Sequence, residues 1–128
     1  MNELINERFK EHLSVTSKTL IECQNQIIEV AKALTETLKS GKKILICGNG
    51  GSAADAQHFA AELVSSFSRD IRRHGLPAIA ITTDSSILTA FSNDFGFEGV
   101  FARQINALGS EGDCLVALST SGNSKNCL

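Results

Sequence analysis

The stretch Ser119-Thr-Ser-Gly-Asn-Ser124 is crowded with hydroxyl side chains, four in six positions, and it follows a short apolar run. Hydroxyls and backbone N–H groups at the end of a strand can donate to several phosphate oxygens at once, without a lysine or an arginine. Serine, glycine and asparagine are also ordinary turn residues, so a capped turn is the alternative. The density of hydroxyls favours a phosphate-binding loop.

A second loop has some features of an anion site. The stretch Cys47-Gly-Asn-Gly-Gly-Ser52 leads from an apolar run into a helical pattern. Gly48, Gly50 and Gly51 would let the backbone approach a ligand closely. Ser52 is expected to cap a helix whose first N–H groups favour an anion. The spacing matches neither a dinucleotide fingerprint nor a P-loop, so an ordinary strand-to-helix turn is the alternative.

His58 and Glu62 are four residues apart in a helical pattern and are therefore predicted to share one face. A carboxylate there could remove a proton from a carbon next to a carbonyl group, and the pair could also ligate a metal ion. An exposed surface pair is the alternative. Two ligands do not make a zinc site, which needs a third or fourth from elsewhere.

A fourth polar stretch, Asn93-Asp-Phe-Gly-Phe97, is predicted to lie between two helices. It is either a capped turn or a source of polar contacts to the hydroxyls of a ligand. His12 and His74 have no motif around them and are expected to be exposed to solvent.

The first forty residues have the pattern of helices. Large apolar residues recur every seven positions at Leu13, Leu20, Ile27 and Leu34. A weak stretch at 14–17 predicts a break into two helices, and Gly41 is the predicted end, with Lys39 favouring the helix dipole. The apolar stripe packs either on the core of the domain or in a helix bundle between subunits.

Beyond residue 41 the pattern alternates between strands and helices. Strands buried on both faces are predicted at Lys43–Cys47, Pro77–Thr82 and Cys114–Leu118. Helices are predicted from Ala53 to about Phe67, from Ser85 to about Phe91 and from Phe97 to about Leu108, with Asp84 as an N-cap. This order predicts an α/β fold, a three-layer sandwich in which helices flank a parallel sheet. Ligands of such sheets bind at the carboxyl ends of the strands, where both glycine-containing loops would lie.

The composition narrows the classes of function. The chain has 128 residues and a net charge of -2, which predicts one domain and no nucleic-acid partner. We expect no signal peptide and no membrane partner. The four cysteines lack CxxC spacing, which favours the cytoplasm. Cys47 and Cys114 lie in apolar runs and are expected to be buried, whereas Ser65–Gly75 is expected to be a surface connection.

Together, the motifs resemble the sugar isomerase (SIS) domain family and, within it, the bacterial phosphoheptose isomerases. The residues that carry the resemblance are 44–63, 77–84, 93–97 and 117–126. It implies a flavodoxin-like SIS fold in which residues 1–40 form an N-terminal helical region for oligomerisation. Residues 41–128 would be the N-terminal part of the SIS domain. The C-terminal part of the family pattern is expected to be missing from this chain.

The resemblance also implies an activity and a site. The enzymes of this family convert sedoheptulose 7-phosphate to D-glycero-D-manno-heptose 7-phosphate, for lipopolysaccharide or capsule, and they form homotetramers. Glu62 would be the catalytic base, and Glu62 and His58 would be two ligands of Zn²⁺, with the remaining ligands in the missing C-terminal part. The substrate-binding residues would be Asn49, Gly50, Gly51, Ser52, Glu62, Asn93, Asp94, Ser119, Thr120, Ser121 and Ser124.

A second function class is compatible with the same fold, because a fold does not fix a function. Non-catalytic members include the initiator-associating protein that binds the replication initiator DnaA. In that protein's pattern the acidic residue at the position of Glu62 is lost. Because Glu62 and His58 are both present here, the sequence favours the isomerase. A sugar-phosphate-sensing regulator would usually carry a DNA-binding domain, which we do not find in the sequence.

Overall fold

The computed structural model describes residues 1–68, 70 and 72–128. The chain divides into two compact units, Met1–Thr35 and Glu36–Leu128. In chain order the elements are α1 (Asn2–Glu22), α2 (Gln24–Lys39), β1 (Ile44–Gly48), α3 (Gly51–Val64), β2 (Ala78–Ala80), α4 (Ser85–Phe95), a 3₁₀ turn (Phe97–Gly99), α5 (Val100–Leu108) and β3 (Cys114–Leu118).

The N-terminal region is helical as predicted, but the position predicted for its break is wrong. α1 continues through residues 14–17, and the two helices separate at Cys23. The hydroxyls of Thr16 and Thr19 donate to the backbone carbonyls four residues earlier, at 2.8 and 2.9 Å. The two hydroxyls therefore share carbonyls that also accept the helix's own N–H bonds, and the helix continues through this stretch.

The apolar stripe of the N-terminal region lies at the surface of this chain. Leu13, Leu20 and Ile27 are all more than half exposed, and α1 and α2 contain no buried residue. Residues of the unit Met1–Thr35 therefore do not bury the stripe among themselves, and contact between subunits stays a prediction.

α2 ends as the sequence predicts. Gly41 adopts a φ of +72°, a left-handed conformation that glycine enters without steric cost. Its N–H donates to Leu38 O at 3.1 Å, and the N–H of Lys42 donates to Thr37 O at 3.1 Å. This pair of bonds is the Schellman arrangement, which satisfies the last carbonyls of the helix.

The three strands form a parallel sheet in the order β2-β1-β3, which confirms the predicted α/β class. Every residue of the central strand β1 is buried, as predicted. Burial on both faces was wrong for the edge strand β3, where exposed residues alternate with partly buried ones and Cys114 is partly exposed. β2 is shorter than predicted, ends at Ala80 and exposes Ile79, so burial on both faces was wrong for this edge strand as well.

Helices cover both faces of the sheet at β1. Successive side chains of a strand point to opposite faces, so β1 has side chains to bury on each side. Leu45 and Cys47 join Ile81, Val100 and Phe101 in one buried cluster. α3 packs on β1 and β2, and its buried residues are Ala56 and Ala60. The core therefore lies between α3 on one face of the sheet and α5 on the other.

Two helix starts test the predicted caps. Asp84 caps α4 as predicted, because its carboxylate accepts from the N–H groups of Ser86 and Ile87 at 3.0 and 3.2 Å. The prediction for Ser52 was wrong. α3 begins at Gly51, its N-cap is Gly50 with no side-chain cap bond, and Ser52 is therefore the second residue of the helix.

The other helix boundaries also differ from the predictions. α3 ends at Val64, three residues earlier than expected. α4 continues to Phe95, so that Asn93 and Asp94 lie in its last turn instead of in a connection between helices. Of the predicted surface connection 65–75, residues 69 and 71 lie outside the described part of the chain, and the others are exposed or partly exposed.

The amino ends of β1 and β3 are joined by Asp113. Its carboxylate accepts from the N–H of Lys43 at 2.9 Å and from that of Ser110 at 2.7 Å, and it also contacts the Lys43 ammonium. These contacts hold the start of β3 beside the start of β1. Within the described residues, no helix has the length and apolar character needed to cross a membrane.

Candidate functional site

The two glycine-containing loops lie side by side, because β1 and β3 are adjacent parallel strands and both loops follow their carboxyl ends. Asn49 follows β1, and Asn126 lies in the turn after the serine-rich loop. Their amides form two reciprocal hydrogen bonds, from Asn49 Nδ2 to Asn126 Oδ1 at 2.8 Å and from Asn126 Nδ2 to Asn49 Oδ1 at 2.9 Å. The structure therefore brings together the two loops that the sequence singles out.

The hydroxyls of the serine-rich loop form a cluster. Ser119 Oγ lies 3.0 Å from Ser124 Oγ and 3.5 Å from Ser121 Oγ. The turn between them is made by Gly122, with a φ of +65°. Thr120 is exposed at the tip. Several donors within one short loop suit a ligand group with several acceptor oxygens, such as a phosphate.

The chain after this loop starts a helical turn, as predicted. The N–H groups of Cys127 and Leu128 both donate to Ser124 O, at 2.8 and 3.1 Å. The backbone at Ser124 is therefore held by the following turn while its side chain faces Ser119.

The first loop brings the start of α3 against the end of β1. A Cβ on Gly48 would lie 2.7 Å from Ser52 O, which no real side chain could tolerate. The N–H of Ser52 donates to Asn49 O at 3.0 Å. The first N–H groups of α3 therefore lie at the same edge of the sheet as the serine-rich loop, where they favour an anion.

A small cavity of about 140 Å³ borders the first loop. Its lining residues are Gly48, Asn49, Gly50, Ala53, Thr82, Leu88, Phe97 and Phe101. Thr82, which the sequence analysis did not single out, follows β2, and its hydroxyl contacts Ala53 O at 3.5 Å. The signal for it was its place at the carboxyl end of the predicted strand Pro77–Thr82, at the same edge of the sheet as both loops.

His58 and Glu62 share one face of α3, as predicted, with 3.9 Å between Nε2 and Oε1. The His58 side chain is 76% exposed and that of Glu62 is 31% exposed. They line a larger cavity of about 420 Å³. Its lining residues are Asp55, His58, Phe59, Glu62, Leu63, Phe67 and Arg73.

The structure does not bring Glu62 to the serine-rich loop within one chain. None of the described residues that line the larger cavity belongs to either glycine-containing loop. Glu62 is ten residues beyond Ser52 on the same helix, a step of about 15 Å at the helical rise. The predicted base and the predicted phosphate loop therefore occupy separate places in a single copy.

Asn93 and Asp94 are exposed in the last turn of α4. The Asn93 amide donates to the Asp94 carboxylate at 2.9 Å. Neither residue lines the two cavities described above. Their role as substrate contacts stays a prediction.

The residues present match zinc in kind but not in number. An imidazole and a carboxylate are both common zinc ligands, and His58 and Glu62 are close enough to approach one ion. Among the described residues, no group of three or more histidine, cysteine, aspartate or glutamate side chains could hold a metal ion. The pair supplies only half of the four ligands that a zinc ion usually takes.

The family profile of the SIS domain matches residues 8–128. The chain belongs to the SIS-domain family. The resemblance expected from the motifs is thereby confirmed, and the three-stranded sheet with its helices is part of a SIS domain.

Relatives of this SIS domain extend beyond it in length. It is 52% identical to a phosphoheptose isomerase of Trichlorobacter lovleyi over 98% of this chain and 63% of the relative. It is 51% identical to a phosphoheptose isomerase of Aliarcobacter butzleri over 100% of this chain and 67% of the relative. The chain therefore spans about two thirds of the length of these relatives.

Solved structures resemble the SIS domain closely. A phosphoheptose isomerase from Neisseria gonorrhoeae superposes with a TM-score of 0.89 at 44% identity, over 98% of this chain and 64% of that one. One from Francisella tularensis gives a TM-score of 0.90 at 40% identity, over 97% and 64%. Over the shared length, the backbone described here therefore closely matches those of two phosphoheptose isomerases.

Besides Thr82, the structure adds two residues that the sequence analysis did not single out as site residues. Asn126 ends the range 117–126 that carries the family resemblance, but only the fold reveals its pairing with Asn49. Arg73 lies in the predicted surface connection, and its guanidinium contacts the end of α3. The sequence offered one signal for Arg73: an arginine shortly after the end of a predicted helix can bind the last carbonyls of that helix.

Proposed function

We propose that this chain is part of a phosphoheptose isomerase, which interconverts sedoheptulose 7-phosphate and D-glycero-D-manno-heptose 7-phosphate. The observation that carries the proposal is the joining of two donor-rich loops by the Asn49–Asn126 amide pair. This arrangement provides one anion-binding edge in a chain whose relatives bear the name of that enzyme. The product would enter the synthesis of lipopolysaccharide or capsule.

The phosphate group would be bound at this edge. Ser119, Ser121 and Ser124 have clustered hydroxyls, and Thr120 would add a fourth. Asn49, Gly50, Gly51 and Ser52 would contribute the start of α3, where backbone N–H groups and the helix dipole favour negative charge. Asn93 and Asp94 would contact hydroxyl groups of the sugar.

Glu62 would move the proton. In the ketose, the base removes a proton from C1 while the carbonyl oxygen on C2 gains one, which gives an enediol. The enediol then takes a proton at C2 while the oxygen on C1 loses one, which gives the aldose. A carboxylate that is partly shielded from water, as Glu62 is, suits this transfer.

His58 and Glu62 would hold Zn²⁺ together with ligands from residues outside those described here. The chemistry that the ion supplies when bound is polarisation of the substrate carbonyl. A carboxylate has two oxygens, so Glu62 could ligate through one and accept a proton through the other.

The proposed enzyme is a cytoplasmic homotetramer. The exposed apolar stripe of α1 and α2 supports association through these helices, because large exposed apolar surfaces mark interaction sites. The distance between Ser52 and Glu62 along α3 supports an arrangement in which the loops of one copy meet Glu62 of another copy.

The first test uses the complete gene product with sedoheptulose 7-phosphate and zinc, and follows the aldoheptose phosphate by NMR. Wild-type turnover that disappears in Glu62→Gln supports the isomerase and the role of Glu62. Binding of the sugar phosphate without turnover would instead favour a non-catalytic SIS-domain regulator, such as one that associates with DnaA.

A second test addresses the shared site. Glu62→Gln and Ser121→Ala are each expected to reduce turnover strongly when present in every copy. Tetramers reassembled from a mixture of the two variants would regain activity if one copy supplies the base and another the phosphate loop. Mixtures as inactive as the separate variants would contradict that arrangement.

A further inference from the structure

The last turn of α3 contains Glu62, and Arg73 binds two backbone carbonyls of this turn. α3 ends at Val64, so the carbonyls of Glu62 and Leu63 lie beyond the reach of the usual helical donors. The Arg73 guanidinium donates to Glu62 O at 2.7 Å and, through its other terminal nitrogen, to Leu63 O at 2.7 Å. Arg73 is therefore the cap of this helix end.

The chain around Arg73 is docked on the same helix end. We call residues 73–76 the returning segment. The N–H of Leu76 donates to Leu63 O at 2.9 Å. A Cβ on Gly75 would lie 2.6 Å from Val64 O, so only glycine lets the segment approach this closely. Arg73 also donates to His74 O at 3.0 Å, a bond within the segment itself.

The chemistry of arginine suits this position. A positive charge at the C-terminal end of a helix interacts favourably with the helix dipole. A guanidinium also presents several N–H groups in a rigid plane, so one side chain can bind two carbonyls at once. Lysine has a single flexible ammonium group and would not hold both carbonyls in the same way.

Arg73 lies next to the residues that carry the proposed chemistry. Arg73, His58 and Glu62 line the same cavity of about 420 Å³. Glu62 is the residue whose own carbonyl Arg73 binds, and it lies two residues before the end of α3. Helix ends fray readily, so without a cap the Glu62 carboxylate would be held less firmly.

We propose that Arg73 is a positioning residue for Glu62, which it holds in place by binding the Glu62 and Leu63 carbonyls. The inference rests on the proposed isomerase function, since it gives Glu62 the role of base. A displacement of the Glu62 carboxylate by about 1 Å could slow the reaction about 100-fold, because proton transfer depends on distance and alignment. Arg73 itself acts through Glu62 and contacts no reacting atom.

The test measures kcat and KM of the complete gene product for sedoheptulose 7-phosphate in Arg73→Ala, Arg73→Lys and the matched control Arg72→Ala. Arg72 is exposed and loses the same charge in its variant. We expect Arg73→Ala to lower kcat about 10- to 100-fold with little change in KM, since the phosphate is bound elsewhere. Arg73→Lys should lower kcat less, and Arg72→Ala should match the wild type.

A readout specific to the cap accompanies the kinetics. Hydrogen exchange of the amides in the last turn of α3 should accelerate in Arg73→Ala and remain at the wild-type rate in Arg72→Ala. Added guanidinium ion should restore part of the lost kcat in Arg73→Ala, because it can occupy the space left by the side chain. A purely structural role would change the thermal midpoint and leave kcat per folded molecule unaltered.

Each result decides the matter. A wild-type kcat in folded Arg73→Ala would overturn the positioning role while the isomerase function stands. If Arg73→Ala does not fold, Arg73→Lys decides, since a wild-type kcat in that variant would overturn the two-carbonyl role. A wild-type protein without isomerase activity would remove the proposed function itself, and the positioning role with it.

Discussion

Asn49 and Asn126 exchange two amide hydrogen bonds across the carboxyl edge of the sheet. The two residues are far apart in sequence, and each lies beside a different predicted anion-binding loop. Asn49 Nδ2 also contacts the Cys127 sulfur at 3.6 Å. The pair therefore fixes the spacing between the start of α3 and the serine-rich loop.

Asn126→Ala is the sharper test of this pair, because Asn126 is outside the set of proposed substrate contacts. The substitution leaves the partly buried Asn49 amide without its partner, which should lower the free energy of unfolding by about 1 to 3 kcal/mol. The affinity for sugar phosphate, measured by calorimetry, should fall because the two loops lose their fixed spacing. Asn106→Ala, at an exposed position on α5, is the control, and unchanged affinity in Asn126→Ala would contradict the coupling of the loops.

Two glycines of the first loop should respond differently to substitution. Gly48→Ala would push a Cβ to 2.7 Å from Ser52 O, so we expect a loss of about 1 to 3 kcal/mol in the free energy of unfolding. A Cβ on Gly51 would meet no atom within 4 Å. Gly51→Ala should therefore keep the stability of the wild type within about 0.5 kcal/mol.

The two glycine variants also distinguish an effect on stability from an effect on ligand binding. If Gly51→Ala keeps its stability but loses affinity for sugar phosphate, the ligand itself must approach the backbone at Gly51. Urea unfolding gives the stability and calorimetry gives the affinity. A Gly48→Ala variant as stable as the wild type would contradict the steric argument.

The sequence predicted the parts of the fold that depend on local pattern. The buried strand β1, the glycine stop at Gly41 and the Asp84 cap all follow from residue type and spacing, and the structure confirms them. The N-cap at Ser52 failed because the preceding Gly50, with a φ of +57°, already turns the chain into the helix. The exposure of β3 could not be predicted, since burial of a strand depends on its neighbours in the sheet.

The sequence predicted which residues could form the site better than it predicted how they are arranged. Residue types identified the two loops and the His58–Glu62 pair, and adjacency of β1 and β3 explains why the loops meet. The distance from the loops to Glu62 follows from the length of α3, which a motif does not convey. The Asn49–Asn126 and Arg73 contacts depend on chain segments that meet only after folding, so sequence pattern gives them no strong signal.

Asp113 should give part of the stability a dependence on acid pH. Its hydrogen bond with the Lys43 side chain, together with bonds from the N–H groups of Lys43 and Ser110, lowers the pKa of this carboxyl from 3.8 to about 2. Because the folded-state pKa is lowered, the stabilisation is complete above about pH 5 and is lost as the pH falls from about 5 to below about 2.

Asp113→Asn tests this relationship. The variant should be less stable than the wild type at pH 7, and the difference should shrink as the pH falls through that window. Unfolding by urea at a series of pH values gives both curves. Glu111→Gln removes the same charge at an exposed neighbouring position and should change little. A difference for Asp113→Asn that stays constant from pH 7 to pH 2 would contradict the assignment.

Cys47 should be the least reactive thiol of the folded protein. Burial, followed by the charge of Cys127 and a hydrogen bond with it, raises the pKa of the Cys47 thiol from 9.0 to about 11. Since the thiolate is the nucleophile, alkylation at pH 8 should be slowest at Cys47 and fastest at the exposed Cys23. Mass spectrometry after timed treatment with iodoacetamide measures both rates, and in denaturant they should become equal. Cys127→Ala removes the charge and the hydrogen bond of Cys127 but leaves Cys47 buried, so Cys47 should still be alkylated more slowly than Cys23. Equal alkylation rates of the two thiols in the native wild type would show that the fold does not protect Cys47.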